Sequence, residues 1–412
     1  MYQPKGIKKI YHQARRFFAK KWLNFWKPYQ IGIGGSQGKT NTTRVLAMVL
    51  SDFGHTVVTD INLDTIFNVP ITALKVMPWT KFAVFELGVD HINEMNKHFE
   101  IVKPKLGIVT GISTVHTDSE HFGTLDNLIK EERKLIEFLP KKEDGGAAIL
   151  NYDDEYVRNM APFTKAKVIF YGSDKKKCQY YFDKKSVEVS LTGTQFKLFS
   201  NSLNNSIQIS TKLIGLHHAY NLTAVFAVLK TLFPNNSKVD AIFNKTVSKI
   251  EPLRGRMNIE KGPMNTILLN DCLRASPKST DEGLKTFYKI DYKKGRKIAI
   301  LGVMGELYDP IKEHKKTAKT LITYPPDIVV GVGEYRKYTI DEAKKLGFPK
   351  ERLFFAKDVF KAAEILKKIL KPGDFLYLKS SLLRNLWRII KILNNQPVCC
   401  QKDFCHYKHC KF

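Results

Sequence analysis

No stretch of uncharged apolar residues in this 412-residue chain approaches the roughly 18 that a membrane-crossing helix needs. No cleavable leader is legible either, because Lys and Arg interrupt the apolar residues near the start. Both absences point to the cytoplasm. Cysteine is scarce, six residues with four of them in the last 14, which argues against a disulfide-built scaffold and suits a reducing compartment. Acidic residues are also short: 40 Asp plus Glu against 67 Lys plus Arg, a formal net charge of +27. Such an excess can attract nucleic acid, anionic lipid or acidic metabolites. The usual zinc-finger spacing and RNP-like segments are missing, so no nucleic-acid partner is expected. Internal repeats are absent as well. The length exceeds one ordinary core, so two or three domains are expected.

Positions 1–28 contain no acidic residue at all and eight basic ones. Ile7, Ile10, Tyr11, Ala14, Phe17, Phe18, Trp22, Phe25 and Trp26 recur there at helical spacing, with Lys8, Lys9, Arg15, Arg16, Lys20 and Lys21 between them. Two readings are open for this basic amphipathic helix. Its aromatic stripe docks on the protein's own core, or it lies peripherally on an anionic membrane surface.

What the chain does have is a glycine loop, Gly32-Ile33-Gly34-Gly35-Ser36-Gln37-Gly38-Lys39-Thr40, between a short apolar strand and a helix predicted over Asn41–Leu50. Such a loop brings backbone N–H groups and a helix N-terminus to phosphate oxygens. A following Lys reaches the β- and γ-phosphates, and the next hydroxyl ligates Mg²⁺. Lys39 and Thr40 fit those roles. Ile33 stands where the strict motif has Gly, but the core Gly35-x-x-Gly38-Lys39-Thr40 is intact.

Beyond the loop, strands are predicted at 56–59, 82–86, 106–110 and 147–151, then a helix over 124–139 and a β-rich stretch from about 167 to 213. Helices at 218–232 and 239–250 precede a second α/β run, with strands at 266–269, 297–301, 327–332, 352–355 and 375–378. Strand–helix alternation implies an α/β fold with mainly parallel sheets. The domains read as a basic helix (1–28), a nucleotide-binding domain (29–253), a second α/β domain (254–392) and a Cys/His-rich tail (393–412).

In chain order, further segments accompany the loop: Asn68-Val69-Pro70; Phe85-Glu86-Leu87-Gly88 with Asn93-Glu94-Met95; Thr110 to His116; Phe122-Gly123-Thr124; Gly146 to Asp154; Gly215-Leu216-His217 with Asn221; Gly255-Arg256-Met257; Asn270-Asp271 up to Pro277; Leu301 to Leu307; and Lys379-Ser380-Ser381. With them the chain resembles the Mur-type ATP-dependent amide ligases, most of all the MurF branch, over about residues 30–385. The resemblance implies a P-loop Mur-ligase central domain with a mainly parallel sheet and a Rossmann-like C-terminal α/β domain. It implies an ADP-forming ligase that makes an amide from a carboxylate and an amine through an acyl phosphate, in cell-wall (peptidoglycan) precursor synthesis, with small acyl and amine peptide-like substrates.

The resemblance also assigns roles. Gly35, Ser36, Gln37, Gly38, Lys39, Thr40 and Thr43 would hold ATP. Thr40 and Glu86 would hold Mg²⁺, and His116 would stand beside a second metal ion. Asn221 matches a residue that contacts adenine, while Arg256 and Asp271 match a hinge arginine and a nucleotide-contacting aspartate. Lys379 matches a lysine near the amine. Glu132 falls where the family has a carbamylated Lys that bridges metals. It either replaces that carbamate or belongs to a solvated helix face, Glu131-Glu132-Arg133-Lys134.

Departures accompany the match. The family's Asp-x-Tyr-Asn-Ala-Asn-Pro reads Asp271-Cys272-Leu273-Arg274-Ala275-Ser276-Pro277, and only about 28 residues stand where a UDP-sugar-binding domain is expected. The alternatives are therefore a Mur-type ligase for another carboxylate (a pseudomurein peptide, a poly-γ-glutamate or folate-like compound, a cofactor precursor) or a non-catalytic, membrane-associated nucleotide-binding module. In the tail, Cys399, Cys400, Cys405, His406, His409 and Cys410 form a candidate Zn²⁺ set, since dense thiolates and imidazoles suit that ion. The other reading is a tail of free thiols.

Overall fold

The computed structural model describes residues 6–60, 65–114, 116–201 and 206–398. The candidate zinc residues Cys399, Cys400, Cys405, His406, His409 and Cys410 lie outside them. The chain divides into two compact units. The first comprises 1–188, 195–211 and 217–250; the second takes 189–194, 212–216 and everything from Glu251 onward.

The first unit carries helices α1 (Ile7–Trp26), α2 (Lys39–Ser51), α3 (Thr65–Leu74), α4 (Glu94–Phe99), α5 (Leu125–Glu137) and α6 (Glu155–Arg158). Its strands are β1 (Tyr29–Gly34), β2 (Thr56–Val58), β3 (Phe82–Glu86), β4 (Leu106–Val109), β5 (Ala147–Asn151), β6 (Lys167–Gly172), β7 (Tyr180–Phe182), β8 (Glu188–Ser190), β9 (Gly193–Ser200) and β10 (Ser206–Thr211). Helices α7 (Leu216–Leu232) and α8 (Val239–Val247) follow. The sheet runs β10-β9-β7-β6-β5-β4-β1-β3-β2, with β8 paired to β9. From β2 to β7 all pairing is parallel, and β9 joins antiparallel to β7. Strands β4 and β5 are buried throughout, as parallel strands covered on both faces must be. The chain places β2 and β3 on one side of β1, then crosses to β4 and β5 on the other. The C-terminal end of β1 is thus a topological switch point, where open α/β sheets leave a crevice.

In the second unit β11 (Asn258–Lys261) pairs antiparallel with β12 (Ile267–Asp271). The parallel strands β13 (Lys297–Leu301), β14 (Ile328–Val332), β15 (Leu353–Ala356) and β16 (Phe375–Lys379) complete the order β11-β12-β16-β13-β14-β15. Side chains alternate across the sheet, as the pleat dictates. Leu268, Ile298, Ile300, Leu376 and Leu378 enter one core layer; Leu269, Ala299, Leu301, Phe375 and Tyr377 enter the other. Helices α9 (Pro277–Lys289), α10 (Pro310–Thr323) and α11 (Arg336–Lys345) feed the second layer, and α12 (Val359–Ile369) with α13 (Arg388–Leu393) the first. Local signals set these boundaries. Ser276 caps α9 reciprocally with Ser279 ahead of Pro277 at the first helical position, and Asp358 caps α12.

Two elements differ from their sequence expectation. Helix α3 was not legible, because Pro70 sits inside it and cannot donate a backbone hydrogen bond. Burial of Val69, Pro70 and Ala73, with the Asn68 amide bonded to both backbone groups of Asp60, overrides that propensity. Helix α1 docks on its own unit, and only one side of the aromatic stripe takes part: Trp26 packs on the core and Trp22 reaches Val76. Ala19 and Leu23 are fully buried against α3 and its surroundings. Arg16 donates to Lys97 O and pairs with Glu100 at 2.9 Å, and Trp22 Nε1 donates to Val76 O at 2.7 Å. Lys27, left-handed, and Pro28 end the helix. Ile7, Ile10, Phe17, Phe18 and Phe25 remain 57% to 86% exposed.

Leu23→Ala should therefore cost about 2–5 kcal/mol in denaturant unfolding, whereas Phe17→Ala should stay within about 0.5 kcal/mol of the parent. The reverse order would mean that α1 docks by its aromatic side.

Candidate active site

Strand β1 delivers Gly34 to the switch point, and α2 starts at Lys39. Gly35 takes φ +112° and Gly38 +86°, conformations open to glycine at little cost. A Cβ on Gly35 would lie 2.6 Å from Thr110 Oγ1, so the loop is pressed against the end of β4. Ser36 N–H donates to Gly111 O at 2.7 Å. The Thr110 hydroxyl lies 3.1 Å from Gly34 O and 2.5 Å from Gln37 O. Thr110 and Gly111 thus strut the loop from outside. They were legible only as part of a family segment, because nothing local in the sequence says that β4 ends beside β1.

Inside the loop, Lys39 Nζ donates back to Gly35 O. The Thr40 hydroxyl donates to Glu86 Oε1 at 3.0 Å, and Glu86 reaches it because β3 pairs beside β1 with Glu86 opposite Ile33. Two hard oxygens from Thr40 and Glu86 meet at the helix start, a donor set that suits Mg²⁺. Three more polar atoms converge there. Asn221, buried on α7, has its Oδ1 3.1 Å from where a Gly38 Cβ would be. Its Nδ2, Ser36 Oγ and Thr43 Oγ1 are buried and meet no hydrogen-bond partner among the described residues. Buried donors left open are costly unless a ligand completes them. The donor set and these open atoms fit a nucleotide triphosphate with its magnesium ion.

Glu132 is not on a solvated face. It and Glu131 are buried on α5, and Glu132 Oε2 accepts the Gly35 N–H at 2.6 Å. Burial raises its pKa, opposed by the nearby Lys39 charge and by that hydrogen bond. Glu131 serves elsewhere: Oε1 accepts Met95 N–H at 2.8 Å and Oε2 pairs with Lys134 at 2.7 Å. His116 is left-handed at φ +61° in the loop after β4, 3.6 Å from Asp90 and ring to ring with His121. Among the described residues no group of three or more His, Cys, Asp or Glu is arranged as a metal cage.

Arg256, Asp271 and Lys379 belong to the second unit. Asp271 ends β12 and Lys379 ends β16, and the parallel register sets them side by side. Lys379 Nζ donates to Asp271 Oδ2 at 2.6 Å, and the Tyr377 hydroxyl to the same oxygen at 3.1 Å. Burial lowers the Lys379 pKa, against the pull of Asp271; Arg256 lowers it further.

Residues 33–229 match the model of the Mur ligase middle domain. The chain is 26% identical over 287 residues to the UDP-N-acetylmuramoyl-tripeptide–D-alanyl-D-alanine ligase of Escherichia coli, covering 69% of this chain and 60% of that protein. Its structure superposes with a TM-score of 0.79 on MurF from Acinetobacter baumannii, at 20% identity, covering 93% of this chain and 80% of that one. For MurF from Thermotoga maritima in complex with ADP the TM-score is 0.77 at 17% identity, covering 93% and 84%. The chain has the Mur ligase fold, a mixed α/β architecture on a mostly parallel sheet. Within that class it is MurF-like.

Two consequences can be measured. Because the folded-state pKa of Glu132 is raised, its ionisation costs stability. That cost is absent below the unfolded pKa, grows as pH rises from there to the folded one, and is fully present above it. Glu132→Gln, whose amide oxygen can still accept Gly35 N–H, should gain stability relative to the parent as pH rises above the ordinary Glu value of about 4.3, read by thermal melting. Lys379→Met strands the buried Asp271 carboxylate and should cost about 3–5 kcal/mol in denaturant unfolding.

Proposed function

We propose that this chain is an ATP-dependent carboxylate–amine ligase, ADP-forming, acting in cell-wall peptide precursor synthesis. The observation that carries the reading is the loop itself: Lys39, the Thr40–Glu86 oxygen pair and the open buried donors of Ser36, Thr43 and Asn221, gathered at one switch point. A substrate carboxylate oxygen attacks the γ-phosphorus, the bond to the β-phosphate oxygen breaks and ADP leaves. The amine nitrogen then attacks the acyl carbon, the C–N bond forms, phosphate departs and the nitrogen loses a proton. Phosphoryl transfer asks the protein for alignment and charge neutralisation. Lys39 swings from Gly35 O to the β/γ-phosphates, and the loop N–H groups hold their oxygens. Thr40 and Glu86 would hold Mg²⁺, which would spread the phosphate charge when bound, and His116 would stand beside a second metal ion. Glu132 keeps Gly35 in place by accepting its N–H.

Arg256 and Asp271 serve the nucleotide, and Lys379 the amine end of the reaction. The names of the relatives support a muramoyl-tripeptide carboxylate and a D-alanyl-D-alanine amine as first substrates to try. A second reading keeps the chemistry and changes the amine. Leu273, Arg274 and Ser276 stand where the family pattern has Tyr and two Asn. The same enzyme works in the cytoplasm.

Phosphate release should need the acyl and amine substrates together, with product mass equal to their sum less water. Lys39→Ala should lower turnover about 100-fold or more with an unchanged melting temperature. Near-parental turnover in that variant, or ATP hydrolysis indifferent to both substrates, would remove the ligase reading.

A further inference from the structure

Helix α1 has two working faces, and the structure separates them. At 3.6 residues per turn, His12, Arg15, Arg16, Ala19, Leu23 and Trp26 form one stripe. It meets the first unit through Ala19 and Leu23, through Arg16 on Glu100 and through the His12 ring on Phe67. Ile7, Ile10, Phe17, Phe18 and Phe25 lie on a second arc centred roughly 140° away, all more than half exposed. The second arc runs the length of the helix, about 30 Å. Its apolar area continues into the protein body. Trp22 is tied to Val76 O, and Met77 and Trp79, next in that segment, are exposed as well.

A monomeric soluble surface rarely shows so long a contiguous apolar strip without a partner. Charge decides among partners. Lys9 and Lys20 border the arc on one side beyond Gln13 and Asn24, Lys21 stands within it, and Lys8 and Arg15 lie toward the docking stripe. From 7 to 26 the helix has six basic residues and no acidic one. A second copy of this helix would bring like charge against like. So would segment 399–412, with three Lys and one Asp. An anionic, planar, apolar-cored partner satisfies both the strip and its basic margin: phosphate headgroups meet the lysines while the aromatics sink to the acyl boundary. Lys21 can extend its ammonium from within the arc to that headgroup level.

We infer that the exposed arc of α1 is a binding face for anionic lipid, while the opposite stripe holds the helix rigidly to the first unit. The helix is therefore a fixed foot rather than a detachable tether. The inference goes beyond the ligase reading and does not depend on it, because its test needs no turnover.

The full chain is sedimented with vesicles of phosphatidylcholine plus phosphatidylglycerol, and with phosphatidylcholine alone, across a salt series. Binding to the anionic vesicles only, weakening as salt rises, is the expected result. Phe17→Ser with Phe18→Ser should weaken it at least tenfold and leave the melting temperature unchanged, since neither ring enters the core. Lys20→Glu with Lys21→Glu should weaken it and flatten its salt dependence. Light scattering without lipid should report a monomer. Failure to sediment with anionic vesicles at low salt overturns the inference, as does equal binding to neutral ones. A dimer that the Phe pair abolishes, without lipid binding, assigns the face to a second copy instead.

Discussion

The site rests on one buried hydrogen bond, from the Gly35 N–H to the Glu132 carboxylate at 2.6 Å. A carboxylate taken out of water is expensive unless cations and donors compensate it. Here the compensation comes from the loop it holds: the Gly35 N–H directly, and Lys39 through its charge. Lys39 in turn donates to the carbonyl of the same Gly35. One peptide segment is therefore gripped at its nitrogen by an acid on α5 and at its carbonyl by a base on α2. The phosphate loop keeps its shape before any ligand arrives, and the ordering cost of binding falls accordingly.

The rest of the first unit supports that grip. Strand β1 brings the loop to the switch point, Thr110 and Gly111 just past β4 press against it, and β3 ends in Glu86, which accepts the Thr40 hydroxyl. None of these contacts is local in sequence. Parallel register makes them simultaneous: adjacent strands that end together deliver their last side chains to one rim. The second unit repeats the device. Its β12 and β16 end on Asp271 and Lys379, which neutralise each other in a buried pair with Tyr377. At both strand rims the sheet's register brings a polar or charged partner to a strand-end carboxylate.

Helix α1 obeys another rule. Arg16, Ala19, Leu23 and Trp26 face the protein, while Phe17, Phe18 and Phe25 face outward. An aromatic stripe at helical spacing shows that a face is apolar, but not what covers it. The narrow Ala19–Leu23 seam allows close approach to α3, which bulky Phe17 or Phe18 would prevent.

The sequence alone determined the alternation of strands and helices, the phosphate loop with Lys39 and Thr40, and an α/β fold on mainly parallel sheets. Each of these is written within a few residues or in a periodicity. It also ordered the family segments along the chain, which pointed to Glu86, Glu132, Asn221, Asp271 and Lys379 as positions without saying what each touches. Tertiary structure alone decided that Glu132 lies beneath the loop rather than in solvent, and that Thr110 braces the loop from a neighbouring strand. It also decided that Asp271 and Lys379 are partners, that α3 forms despite Pro70, and which side of α1 is covered. The reason is the same throughout: hydrogen bonding within a turn depends on neighbours in the chain, whereas burial and charge pairing depend on which strands lie side by side, and that is settled only when the sheet assembles.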